Sequence, residues 1–170
     1  MDADQLRALQ APLKEAYRAD PDRARVMLSA SGSIDGESIT CRLETGRQLA
    51  EAGLHPATGG DGTALCSGDL LLESLVACAG VTLRAVATAL DIPLAGGTIT
   101  AEGDLDFRGT LAVDRDTPVG FERVRLNFEL DSDADDEQRQ TLLKLTERYC
   151  VVLQTLKRPP EFEVTLSAAE

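Results

Sequence analysis

Apolar residues recur along this chain with two different periods, and the switches between them lay out most of the expected fold. Leu6, Leu9, Leu13 and Tyr17 return at helical spacing. They predict an amphipathic helix over 3–19, kinked by Pro12 and ended by Asp20, Pro21 and Asp22. Val26, Leu28 and Ala30 then alternate with polar residues, Ser33 to Gly36 supplies a turn, and Ile39, Cys41 and Leu43 alternate again. This is the pattern of a β-hairpin with one buried face. A short strand is expected around Arg47 to Glu51. From Leu70 to Leu90 the chain is apolar nearly all round, with Ser67 and Asp69 as cap and first-turn carboxylate and Pro93 as stop, which predicts one long helix. Period-two stretches follow at 98–107, 124–130 and 162–166, the last carrying Phe162, Val164 and Leu166. Between the second and third, Ser132 to Asp135 opens a further helix whose face is Leu142, Leu145 and Tyr149, with Leu143 and Cys150 beside it.

The order of these elements is α+β. Half-polar strands favour antiparallel sheets covered on one face, packed around the long central helix. One sheet of this size leaves part of so apolar a helix bare, so a partner subunit, in a homodimer, is expected to cover it. Residues 1–22 form an N-terminal helical extension and 23–170 the main domain.

Composition narrows the function. The chain carries 17 basic and 29 acidic residues, a net charge of −12, which repels phosphate backbones and anionic lipid and argues against nucleic acid or a membrane surface as partner. The acidic N-terminus lacks a basic region followed by an apolar one, and the 70–90 stretch, interrupted by Glu73 and Arg84, reads as a core helix rather than a membrane span. A cytoplasmic location is expected. Four cysteines are too few for a secreted disulfide scaffold; in a reducing compartment they are buried, catalytic or metal-bound.

Among them, Cys78 and Cys150 each end an apolar helical face. Alone, either reads as a small buried hydrophobe; if their helices pack together, the two thiols meet and form a dithiol able to cycle through a disulfide. Cys41 lies in phase with Ile39 and Leu43 on the buried strand face, and Cys66 precedes the long helix as an unpaired loop cysteine. His55 is the only histidine, and no metal-ligand spacing joins it to the cysteines, which argues against a metal site and against cysteine–histidine or serine–histidine catalysis. The run from Thr58 to Thr63 lacks the Lys-Ser/Thr ending of a phosphate loop and reads as turns. No cofactor is called for.

The stretch from Ser67 to Cys78, preceded by a Gly-rich approach and followed by two long strands, Arg148 to Leu156 and a final strand, resembles the OsmC/Ohr family over about residues 23–168. The resemblance implies an intertwined α+β homodimer with active sites at the subunit interface, and thiol peroxidase chemistry on organic hydroperoxides. Cys78 would be the peroxidatic cysteine, becoming a sulfenic acid, and Cys150 the resolving one, condensing with it to a disulfide that a lipoyl-type dithiol reduces. Three positions depart from the family pattern. The hairpin stretch Ser31 to Ser33 has no arginine, Gly68 stands at the family glutamate with Asp69 next to it, and Val151 stands where a proline usually follows the second cysteine. Asp69 is the candidate for the missing carboxylate; Arg42, Arg47 and Arg84 are candidates for the missing cation. Without a cation in reach, burial in an apolar helix is expected to raise the Cys78 pKa and blunt the nucleophile. The alternative function is an OsmC-like dimer without peroxidase activity that binds a small apolar ligand, its cysteines structural or redox-sensing.

Overall fold

The computed structural model describes residues 2–5, 8, 10, 11, 19, 31–34, 40–44, 49–112 and 114–167. Positions 3–5, 8, 10, 11 and 19 are helical, and Asp2 and Gln5 exchange reciprocal backbone–side-chain hydrogen bonds at 2.8 and 3.1 Å. The rest of the expected N-terminal helix, and residues 26–30 and 39 of the expected hairpin, lie outside the described residues.

Strands β1 (Ser31–Ile34) and β2 (Thr40–Glu44) pair antiparallel, with Ile34 opposite Cys41. β3 (Leu49–Gly53) pairs antiparallel with β2 and overlaps the strand expected around Arg47 to Glu51, of which 47 and 48 lie outside the described residues. A two-residue β4 (Leu65–Cys66) lies parallel to β3 and leads straight into the long helix α1 (Ser67–Ala89). Cys66, not Ser67, is the N-cap residue of α1, and no side chain caps it. The helix closes before Pro93: Asp91 adopts a left-handed φ of 55° and the Ile92 N–H returns to the Ala87 carbonyl at 2.9 Å, satisfying one of its last acceptors.

β5 (Gly96–Leu105) and β6 (Phe121–Asp131) form a separate antiparallel pair, joined through the one-turn helix α2 (Phe107–Thr110). Their alternation sorts the faces as the sequence predicts. Ile99 opposite Phe128 and Ala101 opposite Leu126 pack inward. On the outer face Arg125 bridges Glu102 at 3.1 Å and Asp104 at 2.6 Å. Helix α3 (Asp136–Tyr149) starts with a capping box in which the Asp135 carboxylate accepts from the Gln138 N–H, rather than with Ser132, and α4 (Val151–Lys157) follows after one extended residue.

The core runs along one stripe of α1: Leu75, Ala79, Leu83 and Ala87, spaced four apart. Leu83 and Ala87 pack with Ile92, Ala134 and Leu142, while Leu75 and Ala79 pack with Cys150. The helix is therefore buried on one face only; Val81, on the far side, is 73% exposed. On α3 the buried stripe is Leu142, Thr146 and Cys150, not the expected Leu142, Leu145 and Tyr149, because a threonine rather than an aromatic ring faces α1. By length and composition α1 is also apolar enough to cross a membrane. The last expected strand is not seen: among the described residues 159–167 pair with no strand, and Phe162, Val164 and Leu166 are 81%, 91% and 100% exposed.

Candidate functional site

Cys78 and Cys150 come together where α1 crosses the α3–α4 junction. Cys78 lies one residue before the buried Ala79 and is half-buried; Cys150 is completely buried against Leu75 and Ala79. Both are free thiols, packed in one cluster and close enough for each to shift the other's proton affinity. The junction geometry explains the meeting. Cys150 keeps a helical bond from its N–H to the Thr146 carbonyl at 2.9 Å, but its ψ of 107° breaks the helix. The next N–H groups are thereby released from the carbonyls that a continuous helix would give them. One orphaned carbonyl is recovered by a side chain, since Gln154 Nε2 donates to the Glu147 oxygen at 2.6 Å.

The released donors serve the sulfurs. Burial pushes the Cys78 thiol up, but the Val152 N–H, the Cys150 thiol, the Val151 N–H and the Thr82 hydroxyl together outweigh it and hold the thiol below its ordinary value. Burial likewise pushes Cys150 up; the Leu153 N–H opposes it, the neighbouring Cys78 adds to it, and the thiol stays above its ordinary value. The two proton affinities are thus pushed apart, that of Cys78 down and that of Cys150 up. The expected rise in the Cys78 pKa is not found, and no described arginine is responsible for the shift. Arg84 donates to the Leu94 carbonyl instead, and Arg42 and Arg47 have no described side chains.

Asp69 is not brought to this site. Nine residues before Cys78 on the same helix, it sits about 14 Å away along the axis and half a turn round, on the opposite face. It lines a cavity of about 530 Å³ at the N-terminal end of α1, together with Cys66, His55, Leu72, Leu105, Phe107 and Phe121. His55 stacks on Phe107 with ring centroids 4.8 Å apart and accepts from the Ala57 N–H through Nδ1 at 3.0 Å. Gly103 shapes the wall, because a Cβ there would stand 2.5 Å from the Phe121 ring. Neither Cys78 nor Cys150 lines this cavity.

The backbone donors of Val151 and Val152 carry no side-chain signature, and sequence reasoning missed them. The one available signal was the absence of proline at 151, which leaves an N–H in place.

Comparison with known proteins is consistent with this architecture. The family model described as OsmC-like protein matches residues 60–165. The fold is shared with an OsmC-like protein from Mycoplasma pneumoniae at 15% identity, covering 79% of this chain and 89% of that one with a TM-score of 0.66. It is shared with an organic hydroperoxide resistance protein OsmC from Legionella pneumophila at 18% identity, covering 79% and 93% with a TM-score of 0.62. An organic hydroperoxide resistance protein from Elizabethkingia anophelis, with bound thiocyanate, is similar at 16% identity, covering 79% and 91% with a TM-score of 0.62. No curated protein matches the chain in sequence.

Proposed function

Because the chain belongs to the OsmC-like protein family, we propose that it reduces organic hydroperoxides through Cys78 and Cys150. The carrying observation is the pair of contacting sulfurs whose proton affinities are pushed in opposite directions. In this reading the Cys78 thiolate attacks the terminal peroxide oxygen. An S–O bond forms, the O–O bond breaks, and the alkoxide leaves as alcohol after taking a proton. Cys150, giving up its proton, then attacks the sulfenic sulfur; the disulfide forms and the hydroxyl leaves as water. A small dithiol of lipoyl type returns both thiols and is itself oxidised to a disulfide. The Val151 and Val152 N–H groups do the work of the missing hairpin arginine, and Asp69 belongs to the cavity rather than to the sulfur chemistry.

The test is alkylation of Cys78 across pH, with and without an alkyl hydroperoxide. The proposal expects a midpoint below that of the same thiol in the urea-unfolded chain, since a depressed pKa leaves more thiolate at neutral pH. It also expects peroxide to produce an intramolecular Cys78–Cys150 disulfide visible by peptide mass. An ordinary midpoint with no peroxide-driven link favours the second reading, a binder of a small apolar ligand, which draws on the apolar 530 Å³ cavity.

A homodimer belongs to the same proposal, in the cytoplasm. Its support is the bare Val81 side of α1 and the alternating Phe162, Val164 and Leu166, exposed along an extended segment that a second copy would cover. Truncation after Pro160 should convert a sedimenting dimer to monomer or aggregate; an unchanged dimer would show that this segment does not hold it.

A further inference from the structure

Among the described residues, one buried side-chain polar atom has no partner. Thr146 is 1% exposed, and its Oγ1 makes no hydrogen bond to any described group. A helical threonine normally spends its hydroxyl proton on the carbonyl one turn back, and those of α1 do so: Thr82 donates to Cys78 at 2.7 Å and Thr88 to Arg84 at 2.8 Å. Thr146 does not. An unmet buried hydroxyl costs stability, so its presence at this position needs a reason.

Its place supplies one. Thr146 and Cys150 are four apart on the buried stripe of α3, and the Cys150 N–H still closes the helical bond to the Thr146 carbonyl. Residues at this spacing share a face, with Cβ atoms about 5–6 Å apart, and in the reduced protein the hydroxyl makes no hydrogen bond to the sulfur or to any other described group. We infer that Thr146 is a positioning residue for Cys150, donating its hydroxyl proton to the Cys150 sulfur whenever that sulfur carries negative charge.

This inference rests on the redox reading above and gives it a direction. Cys150 is fully buried and Cys78 is not, so an external dithiol attacks the disulfide at Cys78. A bond forms between the attacking sulfur and Cys78 Sγ, the Cys78–Cys150 bond breaks, and the electron pair departs on Cys150 Sγ. The second thiol of the reductant then displaces Cys78 and leaves as part of a cyclic disulfide. The leaving Cys150 thiolate therefore develops inside the core, where an unpartnered charge is most costly. The idle Thr146 hydroxyl becomes its donor. The same contact serves the forward direction, when Cys150 must shed its proton to attack the sulfenic acid.

The experiment oxidises the full-length protein with diamide, which needs no peroxidase activity, and follows reduction of the Cys78–Cys150 disulfide by excess dithiothreitol. Thr146→Val, which keeps the shape and removes the donor, should slow reduction about tenfold, the size of one hydrogen bond to a charged group. Thr146→Ser, which keeps the hydroxyl, should restore the rate to within about threefold of wild type. Alkylation of reduced Cys78 should be the same in all three proteins. A Thr146→Val protein reduced at the wild-type rate, or a Thr146→Ser protein as slow as the valine variant, would reduce the residue to packing. Failure of diamide to form the disulfide would overturn the inference too. A disulfide made by diamide but never by alkyl hydroperoxide would remove the peroxidase activity while leaving the Thr146 result standing.

Discussion

The two ends of one helix meet a cysteine under different conditions. At its N-terminal end Cys66 lines a roomy, mostly apolar cavity in which no other described sulfur takes part. In its middle Cys78 lies against a second sulfur and a row of backbone donors from a neighbouring element. The first place has shape without a reaction partner; the second has a partner and electrostatics with little room. The contrast teaches that a cavity alone does not locate the chemistry here. In the proposed function the break at Cys150 does, because it releases N–H groups beside a thiol whose pKa burial alone would raise.

The sharpest way to break that contrast is to exchange the two thiols for hydroxyls. Cys78→Ser should lower turnover of an alkyl hydroperoxide at least a hundredfold in a dithiol-coupled assay, whereas Cys66→Ser should still form the Cys78–Cys150 disulfide fully. Equal losses would mean that both ends of the helix take part. A subtler change is Val151→Pro. Position 151 opens α4, where proline is tolerated, and Cys150 before it is already extended, as a residue preceding proline prefers. The fold should survive while one donor to Cys78 disappears. The alkylation midpoint should rise by about one pH unit and the neutral-pH rate fall about fivefold to tenfold; an unmoved midpoint would discharge that N–H from its role. Smallest at the sulfurs should be Gly103→Ala, which pushes Phe121 off the strand at the cavity end. Thermal unfolding should report a loss of about 1–3 kcal/mol from overpacking, with the Cys78 alkylation rate unchanged.

Much of this arrangement is legible in the bare chain. The long helix and both strands of the β5–β6 pair follow from period, while the meeting of Cys78 with Cys150 is expected only if their helices pack together, with the family resemblance in support. The buried stripe of α3 was misread because period alone does not decide between Tyr149 and Thr146, and the polar residue was the one turned inward. The segment around Val164 carries a strand alternation but forms no described strand, since alternation states that a face needs covering without saying what covers it. The decisive donors at 151 and 152 are main-chain atoms that every residue but proline possesses. Only the bend at Cys150 makes them special, and a bend of one residue leaves no trace in a hydropathy pattern.

That bend has a consequence for timing. The Val152 amide is a neighbour of both sulfurs, and a single proton on a single nitrogen serves one anion well, not two. In the proposed cycle the second sulfur to ionise therefore waits until the first has given up its charge to oxygen. An otherwise simultaneous pair is turned into a sequence, with the order of events written into the sharing of one amide.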